Sequence, residues 1–286
     1  MPELPEVETV RRVLISKIKG RTIKSITVLH NNVFQGQDIE LIKEQIKNQT
    51  INDILRRGKW LEFELDDYYL LSHLRMEGKY VYRNINDPIE KHQLVLLNLD
   101  NDVSLRYRDV RKFGKMYLIK KDELNNSPIS KLGLEPWDKD LNTNYLKEKY
   151  KKKTLPIKTV LLDQEIITGI GNIYADEILF LSKINPLTKA KDLKNKDLQN
   201  IIDNTKKVLD KAIEEGGTTI RSYTSEEGVI GNNQNNLYVH QREGKECYIC
   251  KTIIEKTKIG GRGTYYCKKC QALDKNEQMW YNFPSC

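Results

Sequence analysis

The chain has no run of apolar residues long enough to span a bilayer and no secretory signal. The expectation is a cytoplasmic protein with no membrane partner. Histidine is scarce, at four residues, and none shows the spacing of a metal ligand set. There are only five cysteines in 286 residues, four of them packed near the C-terminus. That distribution argues against a disulfide framework. No internal repeat is visible. Acidic residues fall short of basic ones, 40 against 48, for a net charge of +8. The excess favours a polyanionic partner. Hydrophobic content of 38% is ordinary for a soluble protein, and the length allows two domains with a substantial core.

Val7, Val10, Leu14 and Ile18 recur at spacings of three and four, one apolar stripe of a helix stopped by Gly20. Strands are expected at Thr22–Leu29, Trp60–Leu65, Tyr69–Leu74, Lys79–Tyr82, Gln93–Leu99, Val103–Tyr107 and Lys115–Ile119, with one helix at Asp38–Lys47. After a linker the pattern turns helical, at Leu141–Tyr150, Ile157–Gln164, Ile173–Leu181 and Asp192–Glu215, ended by Gly216-Gly217. The fold class is therefore α+β: an N-terminal, mostly antiparallel β-sandwich flanked by helices, then a helical domain and a small cysteine-bearing β-hairpin. The expected boundaries are 1–120 for the β-domain, 121–140 for the linker, 141–236 for the helical domain, 237–272 for the hairpin and 273–286 for a tail. Thr218–Asn236, polar and glycine-bearing, reads as a mobile loop.

Cys247-x2-Cys250-x16-Cys267-x2-Cys270 carries the clearest chemistry. Two such knuckles fit one tetrahedral Zn2+ held by four thiolates, a structural site with no open position. Cys286 lies outside the pattern. Between the knuckles, Lys258–Thr264 is glycine-rich and bears Arg262. It reads either as a plain hairpin turn or as a tip that brings an arginine fork to phosphate. Thr168-Gly169-Ile170-Gly171-Asn172 joins two expected helices, and Asn172 is a candidate N-cap for the second, whose leading N–H groups form an anion site. The run Lys149 to Lys153 reads as a solvated basic face, with Lys153 or Lys158 within reach of phosphate.

The N-terminus is the most unusual stretch. Met followed by Pro is normally a substrate for methionine removal, which leaves a secondary amine on Pro2. A terminal amine loses its proton near neutrality, and attack on a sugar carbon would give a cationic iminium that acts as an electron sink. Glu3 and Glu6 are then candidates for proton transfer and for steadying the cation. The same residues also fit an ordinary acidic helix start, with Pro5 in the first turn.

Met1-Pro2-Glu3-Leu4-Pro5-Glu6-Val7-Glu8-Thr9 closely resembles the start of the formamidopyrimidine-DNA glycosylases, bifunctional repair enzymes that excise oxidised purines. Further motifs similar to that family follow in order along nearly the whole chain. Arg56-Arg57-Gly58-Lys59 matches its Arg-Arg-x-Lys segment, which implies that Lys59 reaches the active site. Gly169-Ile170-Gly171-Asn172-Ile173-Tyr174 looks like its helix–two-turn–helix, which implies that Asn172 binds a backbone phosphate at the lesion. Met76, Arg111 and Phe113 fall on its void-filling positions, where apolar wedges and an arginine replace a base taken out of the stack. Arg75 and Val110 stand where some members have Gly and Pro, which leaves the shape of those turns open. His73 and His92 match positions near DNA phosphates, whereas His30 and His240 read as ordinary polar residues. The family's zinc hairpin places an arginine, here Arg262, on phosphate.

The resemblance thus implies a monomer acting on double-stranded DNA with 8-oxoguanine or formamidopyrimidine lesions. It further implies nucleophilic Pro2, strand cleavage by β,δ-elimination, one structural zinc, and a loop at 218–236 that closes over the flipped base. The tail beyond Gln271 has no assigned role.

Overall fold

The computed structural model describes residues 1–218 and 236–273. The chain forms two compact units. The first holds Met1–Lys131 and the segment that begins at Ala212; the second holds Leu132–Lys211 and the cysteine hairpin.

The first unit opens with helix α1 (Leu4–Ile18), carrying Pro in its first turn and a capping box between Glu3 and Glu6. Val7, Leu14 and Ile18 are buried, as the apolar stripe requires. Gly20 then takes φ +80°, a conformation that suits glycine and ends the helix. Strand β1 (Ile23–Val28) follows, then α2 (Ile39–Ile46), whose N-cap Asp38 accepts the N–H groups of Glu40 and Leu41. Seven strands complete the unit: β2 (Asp53–Arg57), β3 (Trp60–Glu64), β4 (Tyr68–His73), β5 (Lys79–Asn84), β6 (Gln93–Leu99), β7 (Val103–Arg108) and β8 (Lys115–Lys120).

They pair antiparallel into two four-stranded sheets, in the orders β1-β6-β7-β5 and β2-β3-β4-β8. Ile26, Val95, Leu97 and Leu105 of one sheet and Ile54, Leu61, Phe63, Leu70 and Leu118 of the other share a single core with α1 and α2. This is the expected sandwich. The expected strands all form, with ends shifted by a residue or two. β2 was not anticipated. Its sequence, Asp-Ile-Leu-Arg-Arg, is mostly charged, and only Ile54 is buried. It exists because it pairs with β3 through a tight Gly58-Lys59 turn, Arg57 opposite Trp60 and Asp53 opposite Glu64.

In the second unit α3 (Thr143–Tyr150), α4 (Ile157–Leu161), α5 (Asn172–Leu181) and α6 (Asn195–Glu214) replace the expected helical segments. Two differ from expectation. α4 stops at Leu161, three residues early, and α6 begins at Asn195 after a short 3-10 turn at Ala190–Asp192. α5 is buried from Ile173 through Phe180, which makes it the central helix of this unit. No helix among the described residues is long and apolar enough to cross a membrane.

The hairpin is β9 (Glu255–Ile259) and β10 (Arg262–Tyr266). Gly260 and Gly261, at φ +54° and +77°, form the two-residue turn that matches strand twist. At its base the Sγ atoms of Cys247, Cys250, Cys267 and Cys270 all lie within 4.8 Å of one another. Two of the pairs are Cys250–Cys267 at 3.4 Å and Cys247–Cys270 at 3.9 Å. A tetrahedron of four Zn–S bonds has edges of about 3.8 Å, so the donor set fits one zinc ion and leaves no coordination position open. Cys247 and Cys267 also pack with Phe180, Val239 and Ile254, so the metal site is continuous with a small core.

Cys250→Ser should therefore abolish stoichiometric zinc and, with it, the protease resistance of the hairpin. Metal analysis and limited proteolysis check this. A variant that keeps one zinc per chain and full resistance would contradict the assignment.

Candidate active site and nucleic-acid interface

The first unit collects Pro2, Glu3, Glu6, Lys59 and His73 in buried positions. A chain end normally frays, and this one is pinned. The Glu6 carboxylate accepts the Glu3 N–H at 2.8 Å through one oxygen. Through the other it accepts the Thr218 N–H at 2.7 Å. Gly217, at φ +81°, allows this approach, because a Cβ there would meet Glu6 Oε1 at 2.9 Å. By sequence, Gly216-Gly217 reads only as a helix stop. Its second use, as the seat of the Glu6 carboxylate, leaves no local sign in the sequence.

The structure carries Met1, whose α-amino nitrogen lies one residue ahead of the Pro2 nitrogen and stands in for a terminal amine at this place. Burial holds that amine below its ordinary pKa, opposed by Glu3 and Glu6 and assisted by the positive charge of Lys59. Lys59 owes its position to the β2–β3 turn, which turns a lysine of a surface-looking Arg-Arg-Gly-Lys run into a buried one.

Two turns of the same unit carry the three expected wedge residues. Leu74–Gly78 follows β4 and presents Met76, which is half-buried. Asp109–Gly114 joins β7 to β8, and in it the Arg111 guanidinium stacks over the Phe113 ring at 4.7 Å. Phe113 is 50% exposed, so it is not a core residue. Arg75 takes φ +54°, His92 +70° and Lys112 +56°. Arg75 therefore adopts the left-handed conformation that a glycine would take there at no steric cost.

The second unit brings Asn172 and the Arg262 strand into one neighbourhood, although they are distant in sequence. The Asn172 side-chain amide donates to the Gly263 carbonyl at 2.9 Å. Its Oδ1 is buried with no partner among the described residues. Asn172 is not the helix cap, contrary to expectation. Gly171 occupies that place in extended backbone, and Asn172 is the first helical residue. Its side chain is thereby directed to the hairpin instead of to its own helix.

Lys153 is partly exposed and pairs with Asp163 at 3.2 Å. Lys158 is fully buried. Its Nζ donates to Asp176 Oδ1 at 2.5 Å and to the Asn172 carbonyl at 2.8 Å. That removes Lys158 as a surface phosphate contact and leaves Lys153. His240 is likewise no ordinary polar residue, because its Nδ1 bonds Asp176 Oδ2 at 2.7 Å within the same buried group. Neither partnership could be inferred from the sequence, since the residues lie 18 and 64 positions apart. The expected lesion loop lies, apart from Thr218 and Asn236, outside the described residues, as does the tail from 274.

His73 is 8% exposed and burial drives its pKa down to about 3, helped by the nearby positive charge of Arg75. Its Nδ1 accepts the Arg75 N–H at 3.0 Å, so the neutral ring carries its proton on Nε2. The unfolded chain protonates this histidine near pH 6.5 and the folded chain does not, so stability is lost as pH falls below about 6.5. Between pH 7 and 5 the loss from this group is about 2 kcal/mol. His73→Gln should flatten the dependence by that amount. Urea midpoints at the two pH values measure it, and an unchanged slope would show that His73 does not titrate on unfolding.

Comparison with known proteins follows the same divisions. The formamidopyrimidine-DNA glycosylase N-terminal domain matches residues 1–116, that family's H2TH domain matches 132–224, and a zinc finger found in FPG and IleRS matches 244–273. The chain is 45% identical over 273 residues to the formamidopyrimidine-DNA glycosylase of Bacillus anthracis, covering 95% of this chain and 99% of that one. It is 44% identical over the same length to the one from Bacillus subtilis (strain 168), with the same two coverages. Among solved structures it resembles Lactococcus lactis Fpg in complex with DNA containing an abasic site, with a TM-score of 0.89 at 41% identity, covering 95% of this chain and all of that one. The wild-type Lactococcus lactis Fpg with DNA containing N7-benzyl-Fapy-dG matches with the same TM-score, identity and coverage. The chain belongs to the formamidopyrimidine-DNA glycosylase family and is a zinc-finger DNA glycosylase of DNA repair.

Proposed function

We propose that the protein is bifunctional: it excises oxidised purines, 8-oxoguanine and formamidopyrimidines, from double-stranded DNA and then cleaves the strand as an AP lyase. The observation that carries this reading is the buried, pinned chain end, where Glu6 accepts the Glu3 N–H and burial, with the charge of Lys59, lowers the pKa of the Met1 amine that stands in for that of Pro2. A neutral amine at working pH is a nucleophile; a protonated one is not.

Once Met1 is removed, the Pro2 nitrogen attacks C1′ of the extruded nucleotide. The glycosidic C–N bond breaks and the base departs with a proton. Glu3 moves protons during base loss and opening of the sugar ring. The resulting Pro2 iminium withdraws electrons from the sugar, so that C2′ loses a proton and the 3′-phosphate leaves, followed by the 5′-phosphate. A one-nucleotide gap flanked by phosphates remains. Glu6 holds the amine-bearing end in register and balances its charge. Lys59, His73, His92, Lys153, Asn172 and Arg262 contact the DNA backbone, His73 as a neutral Nε2–H donor. Met76, Arg111 and Phe113 occupy the space the base vacates. Zinc, held by Cys247, Cys250, Cys267 and Cys270, maintains the hairpin that carries Arg262 and takes no part in the chemistry.

Borohydride should trap the protein covalently on 8-oxoguanine duplex, with the adduct at residue 2 of a chain whose mass lacks one methionine. Glu3→Gln should bind the same duplex yet fail to release the base. An adduct mapped to Lys59, or strong lyase activity in a chain that retains Met1, would overturn the Pro2 assignment. Because the hairpin contact is to phosphate, Arg262→Ala should weaken binding across sequences and reduce the slope of log affinity against log salt by about one. An unchanged slope would remove Arg262 from the phosphate set.

A further inference from the structure

The two wedge-bearing turns belong to different stretches of the chain, yet both close on one side chain. A Cβ on Gly78, at the end of the Met76 turn, would lie 2.1 Å from the Tyr107 hydroxyl oxygen and 2.5 Å from the Leu74 carbonyl. A Cβ on Gly114, at the end of the Arg111–Phe113 turn, would lie 1.7 Å from the same hydroxyl. Neither position can carry a side chain while Tyr107 stays, and Tyr107 is 1% exposed. The phenol thus sits between the turns as a shared spacer.

Its hydroxyl donates to Asp109 Oδ2, a long contact of 3.5 Å. Asp109 is wholly buried and its carboxylate is spent on backbone. Oδ1 accepts the Arg111 N–H at 2.9 Å, and Oδ2 accepts those of Phe113 at 2.9 Å and Gly114 at 2.8 Å. The Asp109 N–H donates in turn to the His92 carbonyl at 3.0 Å. A buried carboxylate that gathers three N–H groups fixes the path of a loop that forms no regular ladder.

We infer that Tyr107 and Asp109 are positioning residues for base extrusion: they lock both turns into one frame, so that Met76, Arg111 and Phe113 enter the duplex as a single preset wedge. This rests on the wedge reading proposed above. A loop of free conformation would have to be ordered at each encounter, and that cost would subtract from the binding that offsets unstacking. A merely structural Asp109 would affect every reaction of the enzyme equally.

The test compares, in the full zinc-loaded chain, the single-turnover rate of 8-oxoguanine excision from duplex with the rate of strand cleavage at a preformed abasic site. The readout is the ratio of the two. Asp109→Asn, which keeps the size but places an amide donor among N–H donors, should lower this ratio about tenfold. Tyr107→Phe, which keeps the ring and removes the shared hydroxyl, should lower it in the same direction by less. Amide hydrogen exchange at Arg111, Phe113 and Gly114 should speed up in Asp109→Asn while the β4 and β7 amides stay protected. Phe113→Ala, run alongside, removes the wedge itself. If it leaves the ratio unchanged, the wedge reading fails and this inference falls with it. If it lowers the ratio while both positioning variants leave it unchanged, only the inference is overturned. Should Asp109→Asn not fold, the ratio in Tyr107→Phe decides.

Discussion

Everything proposed for the chemistry depends on one carboxylate holding a chain end still. A terminal amine is a useful nucleophile only if the terminus is ordered and partly dry, whereas chain ends are ordinarily mobile and solvated. Glu6 resolves this by accepting two backbone N–H groups, one from Glu3 and one from Thr218, 212 residues later. Both are buried bonds to a charged acceptor, the stronger class. Removal of the carboxylate would take a charged acceptor from two buried donors, bonds of a class worth roughly 1.5–3 kcal/mol each. Gly217 belongs to the same constraint, since any side chain there would displace Glu6. The first turn of α1 is therefore a helix start, as its composition suggests, and also the mount for the proposed active site.

The second unit shows a parallel use of buried charge. Lys158 and Asp176 are both fully buried and paired, and His240 completes the group. Next to Asp176, Glu177 accepts the N–H groups of Tyr238, Val239 and His240 at 2.7–2.9 Å. The segment leading into the cysteine hairpin is thus stitched to α5, and Lys158 also grips the carbonyl of Asn172 at the start of that helix. Loss of one member of a buried ion pair typically costs about 3–5 kcal/mol, because the other charge is left stranded. The network is best understood as a frame. It fixes the direction from which Asn172 meets Gly263, and so the relation between the helix start and the hairpin tip.

Three of the first unit's five described non-glycine residues at positive φ gather at the two turns proposed to carry the wedge. Arg75, His92 and Lys112 all take positive φ without being glycine, and they lie in or against the two turns that close on Tyr107. Such conformations persist only where surrounding contacts over-determine them. Here the contacts are visible: the Asp109 carboxylate, the Tyr107 phenol, and the backbone bonds from Gly78 to Leu74 and from Asp109 to His92.

Local patterns determined a great deal. Periodicity located α1 and most of the strands, because a buried face must repeat at about 3.6 or 2 residues wherever it is formed. Cysteine spacing defined the zinc set, because two Cys-x2-Cys knuckles already present pairs of thiolates at the right separation. The motifs at Met1–Glu6, Lys59 and Asn172 were legible as a resemblance. Tertiary structure alone decided the rest. β2 is a strand because β3 pairs with it, and its own charged residues gave no alternation to read. Asn172 points to the hairpin because Gly171 takes the cap and a carbonyl 91 residues away accepts its amide. Lys158 and His240 are core residues because Asp176 lies between them, and Asp109 shapes the Arg111–Phe113 turn because, buried, its oxygens meet three backbone N–H groups and the Tyr107 hydroxyl. These are choices of partner across long sequence separations. A sequence records which groups can form such bonds, and only the packed fold selects which of them do.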